Sequence, residues 1–361
     1  MTSRNVLAAL AATALLTGLA ACGGSSSDNS SSHSGGALNG AGATFPQPIY
    51  NEWAARFQKQ TGTVVNYQGV GSGGGVAQFT AGTVDFGASD AAMSDEEIAA
   101  AKKGQPLHIP TVLGAVAIAY NVGGVEKGLK LDGATIAEVF LGRIKNWNDP
   151  AISKLNAGIT LPATPVTLCE RSDGSGTTKN FTAFLAASSP AWKNGPGVGK
   201  TVKWPAGTGA KGNDGVASCI KQSDGAIGYV EQAYAAQNGL ATAAVKNRAG
   251  SFVEPSLDAT AAAGAGASPP ADLRFSTIDA PGATSYPISA ITFLLVYRDP
   301  CRAGMTAERA GLLKGWLDYA LGEGQKVAPD LQFAPLPAAV LAKAKAAVAS
   351  MTCDGKAISG K

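Results

Sequence analysis

Three short runs in this 361-residue sequence place glycine and hydroxyl side chains just ahead of a predicted helix. They are Gly42-Ala43-Thr44-Phe45, Gly71-Ser72-Gly73-Gly74 and Gly174-Ser175-Gly176-Thr177. The first turn of a helix carries unpaired N–H groups and a partial positive charge, and both favour an anion. Glycine lets the backbone approach a ligand closely, and Ser or Thr adds a further donor. One such turn reads as an ordinary helix cap; three in one chain point to an oxyanion site. Arg171 stands at the end of a predicted strand just before the third turn, and its planar fork of donors suits a tetrahedral oxyanion. Asp173, two residues on, is placed to hold that guanidinium by an ion pair.

The elements that must position these groups alternate. A helix is expected over Ile49–Gln60, with Trp53 and Phe57 on one stripe, then a strand at Val64–Tyr67. Gly71–Gly75 reads as a sharp turn ahead of a helix at Val76–Ala81, followed by a strand at Val84–Ser89. Ser94-Asp95-Glu96-Glu97 is a capping box opening a helix. A strand at Val166–Cys169 leads into the third turn and a helix at Lys179–Ala187. A helix over Gly215–Gln222, a strand over Ala226–Val230, an amphipathic helix through Leu312–Leu321 and a last helix after Pro337 complete the pattern. Ala261–Ala271 reads as a surface loop from its Ala, Gly and Pro content. Strands alternating with helices argue for α/β architecture with mostly parallel sheets and flanking helices. Two long apolar strands, Val112–Tyr120 and Ala290–Tyr297, are candidate crossings between two lobes. The expected division is residues 37–116 plus 291–361 for a discontinuous first lobe and 117–290 for the second.

The N-terminal residues carry an address. Arg4 is followed by an apolar run over Val6–Leu16 and by Leu19-Ala20-Ala21-Cys22, the order of a secretory signal, here residues 1–21. Cys22 in that setting resembles the lipidated first residue of a bacterial lipoprotein. Residues 22–36 then form a Gly/Ser-rich tether that cannot bury enough apolar surface to order itself. We therefore expect an exported, lipid-anchored protein at the periplasmic or cell-surface face of the cytoplasmic membrane, with no membrane span in the mature chain. Cys169, Cys219, Cys301 and Cys353 remain, an even count that suggests disulfides and allows three pairings. The pairing Cys169–Cys219 and Cys301–Cys353 is expected, with free buried thiols as the alternative. The first bridge would brace the strand carrying Arg171; the second would pin the C-terminal tail.

Several classes fall away. A charged fraction of 15% and a net charge of +3, with no dense Lys/Arg cluster, leave no nucleic-acid footprint. Two histidines and no Cys-x-x-Cys leave no structural zinc site and no expected metal or other cofactor. A serine hydrolase would need Gly-x-Ser-x-Gly, which neither Ser72 nor Ser175 satisfies, and His108 as the base. Gly199-Lys200-Thr201 misses a phosphate-binding loop because Asn194 stands where glycine is needed. Enzyme chemistry is therefore not expected, and a pure scaffold would leave the three anion turns without a purpose.

The runs Ala41–Pro46, Tyr67–Gly74, Val84–Asp90 and Asp173–Thr177 closely resemble those of the phosphate-binding protein of the bacterial high-affinity phosphate ABC transporter. Val202–Pro205, Lys211–Gly215 and Gly225–Glu231 extend the resemblance in the same order. It implies a two-lobed periplasmic-binding-protein fold, type II-like, with a two-crossover hinge that closes on inorganic phosphate. It further implies phosphate ligands at Thr44, Phe45 (through its N–H), Ser72, Asp90, Arg171, Ser175, Gly176 and Thr177, and delivery by a monomer to permease subunits coupled to an ATPase. Asp90 is the odd member, a carboxylate facing an anion. It makes sense if the ligand carries a proton to donate, as phosphate does and sulfate, the next candidate, does not. The four body cysteines and the Ala261–Pro281 region depart from the family's pattern.

Overall fold

A computed structural model describes residues 36–358; the expected signal, Cys22 and most of the tether lie outside them. The first half lays down β1 (Ala37–Gly42), α1 (Gln47–Thr61), β2 (Val64–Gly69), α2 (Ser72–Ala81), β3 (Phe86–Ser89), α3 (Asp95–Ala100) and β4 (Pro106–Asn121). The middle follows with β5 (Lys130–Leu131), α4 (Gly133–Phe140), α5 (Pro150–Leu155), β6 (Thr167–Arg171), α6 (Gly176–Ser188), α7 (Pro190–Asn194), β7 (Thr208–Ala210), α8 (Gly212–Gln222), β8 (Ala226–Glu231) and α9 (Gln232–Asn238). Short strands β9 (Ala241–Thr242), β10 (Ala244–Lys246) and β11 (Phe252–Val253) then lead to α10 (Leu257–Ala265), β12 (Ser289–Tyr297) and α11 (Ala307–Ala320).

The main sheet runs β2-β1-β3-β12-β4-β8-β6-β7. It is parallel at both outer ends, where β1 pairs with β2 and β3, and β6 with β7 and β8. Its centre is antiparallel, because β4 pairs with β12 on one side and β8 on the other. The 16-residue β4 joins the two halves: up to Ala115 it pairs with β12, and from Val116 with β8. β12 pairs only with β3 and β4. The returning chain therefore passes between the halves just ahead of it, at Ile288, whose carbonyl accepts from Val116 N–H.

Each half has its own aromatic packing. α1 buries Ile49, Tyr50, Trp53 and Phe57 along one stripe, and Trp53 meets Trp316 of α11 edge-on. In the other half Phe181 stacks on Tyr229 with ring centroids 4.3 Å apart, flanked by Phe140 and Trp204. Both expected disulfides, Cys169–Cys219 and Cys301–Cys353, are formed.

Several expectations differ from the structure: α6 and α8 start at Gly176 and Gly212 rather than at Lys179 and Gly215, and two further segments differ. The glycines of Gly71–Gly75 are not a turn ahead of α2 but mostly its first turn, since the helix starts at Ser72. Packing overrides their weak helix propensity: a Cβ on Gly75 would lie 2.5 Å from Gly42 Cα, so only glycine lets α2 lie this close to β1. Ala261–Ala271, expected as a loop, begins within α10. Ser256 caps that helix, and Ala259, Thr260, Ala263 and Gly264 form a buried small-residue face.

Candidate functional site

The three glycine-hydroxyl turns converge on one place. Thr44 and Phe45 lie just before α1, Ser72 opens α2, and Ser175, Gly176 and Thr177 start α6. All six are buried, as are Asp90 and Arg171. The N–H groups of Phe45, Ser72, Gly176 and Thr177 have no protein acceptor among the described residues. This is the donor-rich environment that helix starts offer an anion. Ser175 caps α6, its Oγ accepting from Thr178 N–H at 3.0 Å. The close approach of the turns depends on Gly176: a Cβ there would lie 2.5 Å from Ser72 Oγ.

Arg171 ends β6, and Asp173 grips its guanidinium in a bidentate pair, Nε to Oδ1 at 2.7 Å and Nη2 to Oδ2 at 2.5 Å. The free edge of the fork points to Thr177, with Nη1 3.4 Å from Oγ1. The aromatic core supports this from behind: Tyr229 Oη accepts Arg171 N–H and bonds Thr178 Oγ1 at 2.7 Å.

Asp90 follows β3 and faces the same space. Its Oδ1 accepts from Thr292 Oγ1 at 2.8 Å, and its Oδ2 from Ser72 Oγ at 3.3 Å. Burial pushes its pKa up to about 7, against the pull of the Thr292 hydrogen bond, the Arg171 guanidinium, Ser72 and Lys200. Asp90 is thus poised between its charged and neutral forms near neutral pH.

The two halves touch across this space. Asn213 binds Thr44 Oγ1 through its side-chain amide at 2.9 Å and its backbone N–H at 3.1 Å. Tyr234 Oη donates to Thr44 O, Asn180 Nδ2 to Asp90 O, and Gly73 N–H to Gly174 O. Lys200 pairs with Glu97 at 2.6 Å, and burial lowers the lysine's pKa.

Thr292, Asn213, Asn180 and Tyr234 take no part in the sequence-derived site. Thr292 left one signal, a hydroxyl inside the apolar run Ala290–Tyr297. Asn213 left another, its place in Lys211–Gly215. His108 is buried, its Nε2 accepts Met93 N–H at 3.0 Å, and burial lowers its pKa to about 4. It therefore sits as a neutral acceptor to the backbone of Met93. Among the described residues one group has metal-ligand spacing, Cys301, Cys353 and Asp354, but both its sulfurs are joined in a disulfide.

Comparison with known proteins points the same way. A family model described as a PBP superfamily domain matches residues 27–323. The phosphate-binding protein PstS of Pasteurella multocida is 44% identical over 315 residues, covering 86% of this chain and 89% of that protein. Its namesake in Haemophilus influenzae is 43% identical over 313 residues, 85% of this chain and 91% of the relative. Among solved structures, a high-affinity periplasmic phosphate-binding protein (PfluDING) bound with phosphate superposes with a TM-score of 0.72 at 25% identity, over 86% of this chain and 93% of that one. The chain therefore belongs to the PBP superfamily and, within it, to the PstS family of phosphate-binding proteins.

Proposed function

We propose that this protein binds inorganic phosphate outside the cytoplasmic membrane and delivers it to an ABC-type import permease and, through it, to the ATPase. The observation that carries the reading is the composition of the buried space: helix-start N–H groups, hydroxyls and one guanidinium surround one carboxylate not already paired with that guanidinium, Asp90. A fully ionised oxyanion offers such a carboxylate only repulsion, strong where water is excluded. Phosphate near neutral pH keeps a proton. A hydrogen bond then forms whether that proton resides on the anion or on Asp90, whose pKa is about 7. Thr44, Phe45 N–H, Ser72, Arg171, Ser175, Gly176 N–H and Thr177 serve the remaining oxygens. The names of the PstS relatives, and the phosphate in the PfluDING structure, support the same ligand.

The hydrogen bonds between the halves support closure around β4 and the segment before β12, with residues 37–116 plus 291–361 moving against 117–290. A ligand held from both sides shifts the population towards the closed form. Cys22 would anchor the monomer by lipid, with residues 22–36 as tether.

Titration calorimetry of the phosphate-free body with phosphate and with sulfate tests the reading. Saturable phosphate binding with far weaker sulfate binding is expected at pH 8. Equal affinities, or no phosphate binding, would overturn it.

A further inference from the structure

Asn213 joins the two halves through the Thr44 hydroxyl. It stands in the first turn of α8 and is fully buried. Its orientation is unambiguous because Oδ1 accepts Glu231 N–H at 2.9 Å, from the last residue of β8. Nδ2 therefore faces the opposite way, to Thr44 Oγ1 at 2.9 Å and Thr177 Oγ1 at 3.4 Å.

A hydroxyl oxygen has two lone pairs and one proton. At Thr44 both lone pairs are taken, by Asn213 Nδ2 and by Asn213 N–H. At Thr177 they are taken by Asn213 Nδ2 and Arg171 Nη1. Neither hydroxyl can then accept from a ligand; each can only donate. Thr44 is fixed a second time through its carbonyl, which accepts from Tyr234 Oη.

We propose that Asn213 is a positioning residue that forces the Thr44 and Thr177 hydroxyls, one from each half, to act purely as donors to the anion. This inference rests on the phosphate-binding reading and deepens it. With those two hydroxyls barred from accepting, the ligand's proton is directed to Asp90, which selects one orientation of the bound anion. The Thr44 hydroxyl receives its partners only when the halves meet. Closure and the aiming of its hydroxyl are therefore one event.

The test is a double-mutant cycle on phosphate affinity, using Asn213→Ala, Thr44→Val and their combination, with thermal midpoints checked for each. Each single variant is expected to weaken binding about 10- to 100-fold, the range for hydrogen bonds to a charged group. The combination should lie within about threefold of the weaker single, because each removes the same aimed donor. Thr44→Ser keeps the hydroxyl, so in that background Asn213→Ala should again have its full effect. Where Asn213→Ala is too unstable to measure, Asn213→Ser serves in the same cycle. Losses that multiply, or an Asn213 effect indifferent to the Thr44 hydroxyl, would overturn the proposal while leaving phosphate binding intact. A wild type that binds no phosphate would overturn both.

Discussion

Replacing Asp90 by Asn should make the empty protein more stable, and only at neutral to alkaline pH. Burial raises the Asp90 pKa from 3.8 to about 7. The unfolded carboxyl ionises near the lower value and the folded one near the higher. Between them the folded state binds more protons, so stability falls as pH rises from 4 to 7, and the cost is complete above 7. A shift of about three units corresponds to roughly 4 kcal/mol at most, and to under 1 kcal/mol at pH 4. An amide removes that cost yet keeps the local bonds, since it can accept from Thr292 Oγ1 and donate to Ser72 Oγ, the partners at 2.8 and 3.3 Å. With relaxation halving the gain, about 2 kcal/mol should remain, a rise of roughly 3 °C in thermal midpoint for a body of this size. Thermal unfolding of phosphate-free wild type and Asp90→Asn at pH 8 and pH 4 checks this. A variant that gains nothing at pH 8, or gains equally at pH 4, would refute the placing of this charge in a dry, unfavourable site.

The same carboxyl should govern selectivity. Sulfate affinity of the wild type is expected to rise up to about 50-fold from pH 9 to pH 7, as Asp90 takes up the proton that sulfate lacks, and to stay flat in Asp90→Asn; competition against arsenate, which carries its own proton, is the control. Gly176→Ala should lower phosphate affinity at least about 100-fold with little change in thermal midpoint, because its methyl group would occupy space 2.5 Å from Ser72 Oγ only when the halves meet; calorimetry and thermal unfolding separate the two effects. Reducing the disulfides should cost about 4 kcal/mol for each closed loop, and loss of Cys169–Cys219, two residues from Arg171 and on the helix carrying Asn213, should weaken phosphate binding more than loss of Cys301–Cys353, as titration of the Cys→Ser pairs would show. Cys22→Ser should release the protein from membranes into the soluble fraction; unchanged partitioning would count against the anchor.

Much of the site was legible because its residues announce themselves locally. A glycine beside a hydroxyl ahead of a helix, and Arg171 with Asp173 after a strand, are short-range patterns whose physics needs no tertiary context. Thr292 and Asn213 were not legible as site residues, since what matters about them is the partner they meet 202 and 169 residues away. Helix starts were read too late at α2, α6 and α8 for a single reason. Glycine counts against a helix in isolation, yet it is needed here, by close packing at Gly75 and Gly176 and by a backbone φ of +73° at Gly212. The α10 error has the same root: small residues looked like a loop until β4 provided a surface for them.

The position of β12 in the sheet order has a kinetic consequence. It fills the slot between β3 and β4, which are joined by fewer than twenty residues, although it lies more than 160 residues beyond β4. Until that late segment arrives, β3 and β4 face each other across a missing strand, and the first half cannot complete its sheet. The order in which the chain emerges is therefore not an order in which it can finish folding. Loop-closure entropy must be met before the central pairing forms, which makes folding slow and dependent on the whole chain. The first half of a polypeptide with this topology stays open until β12 is present, late in the sequence.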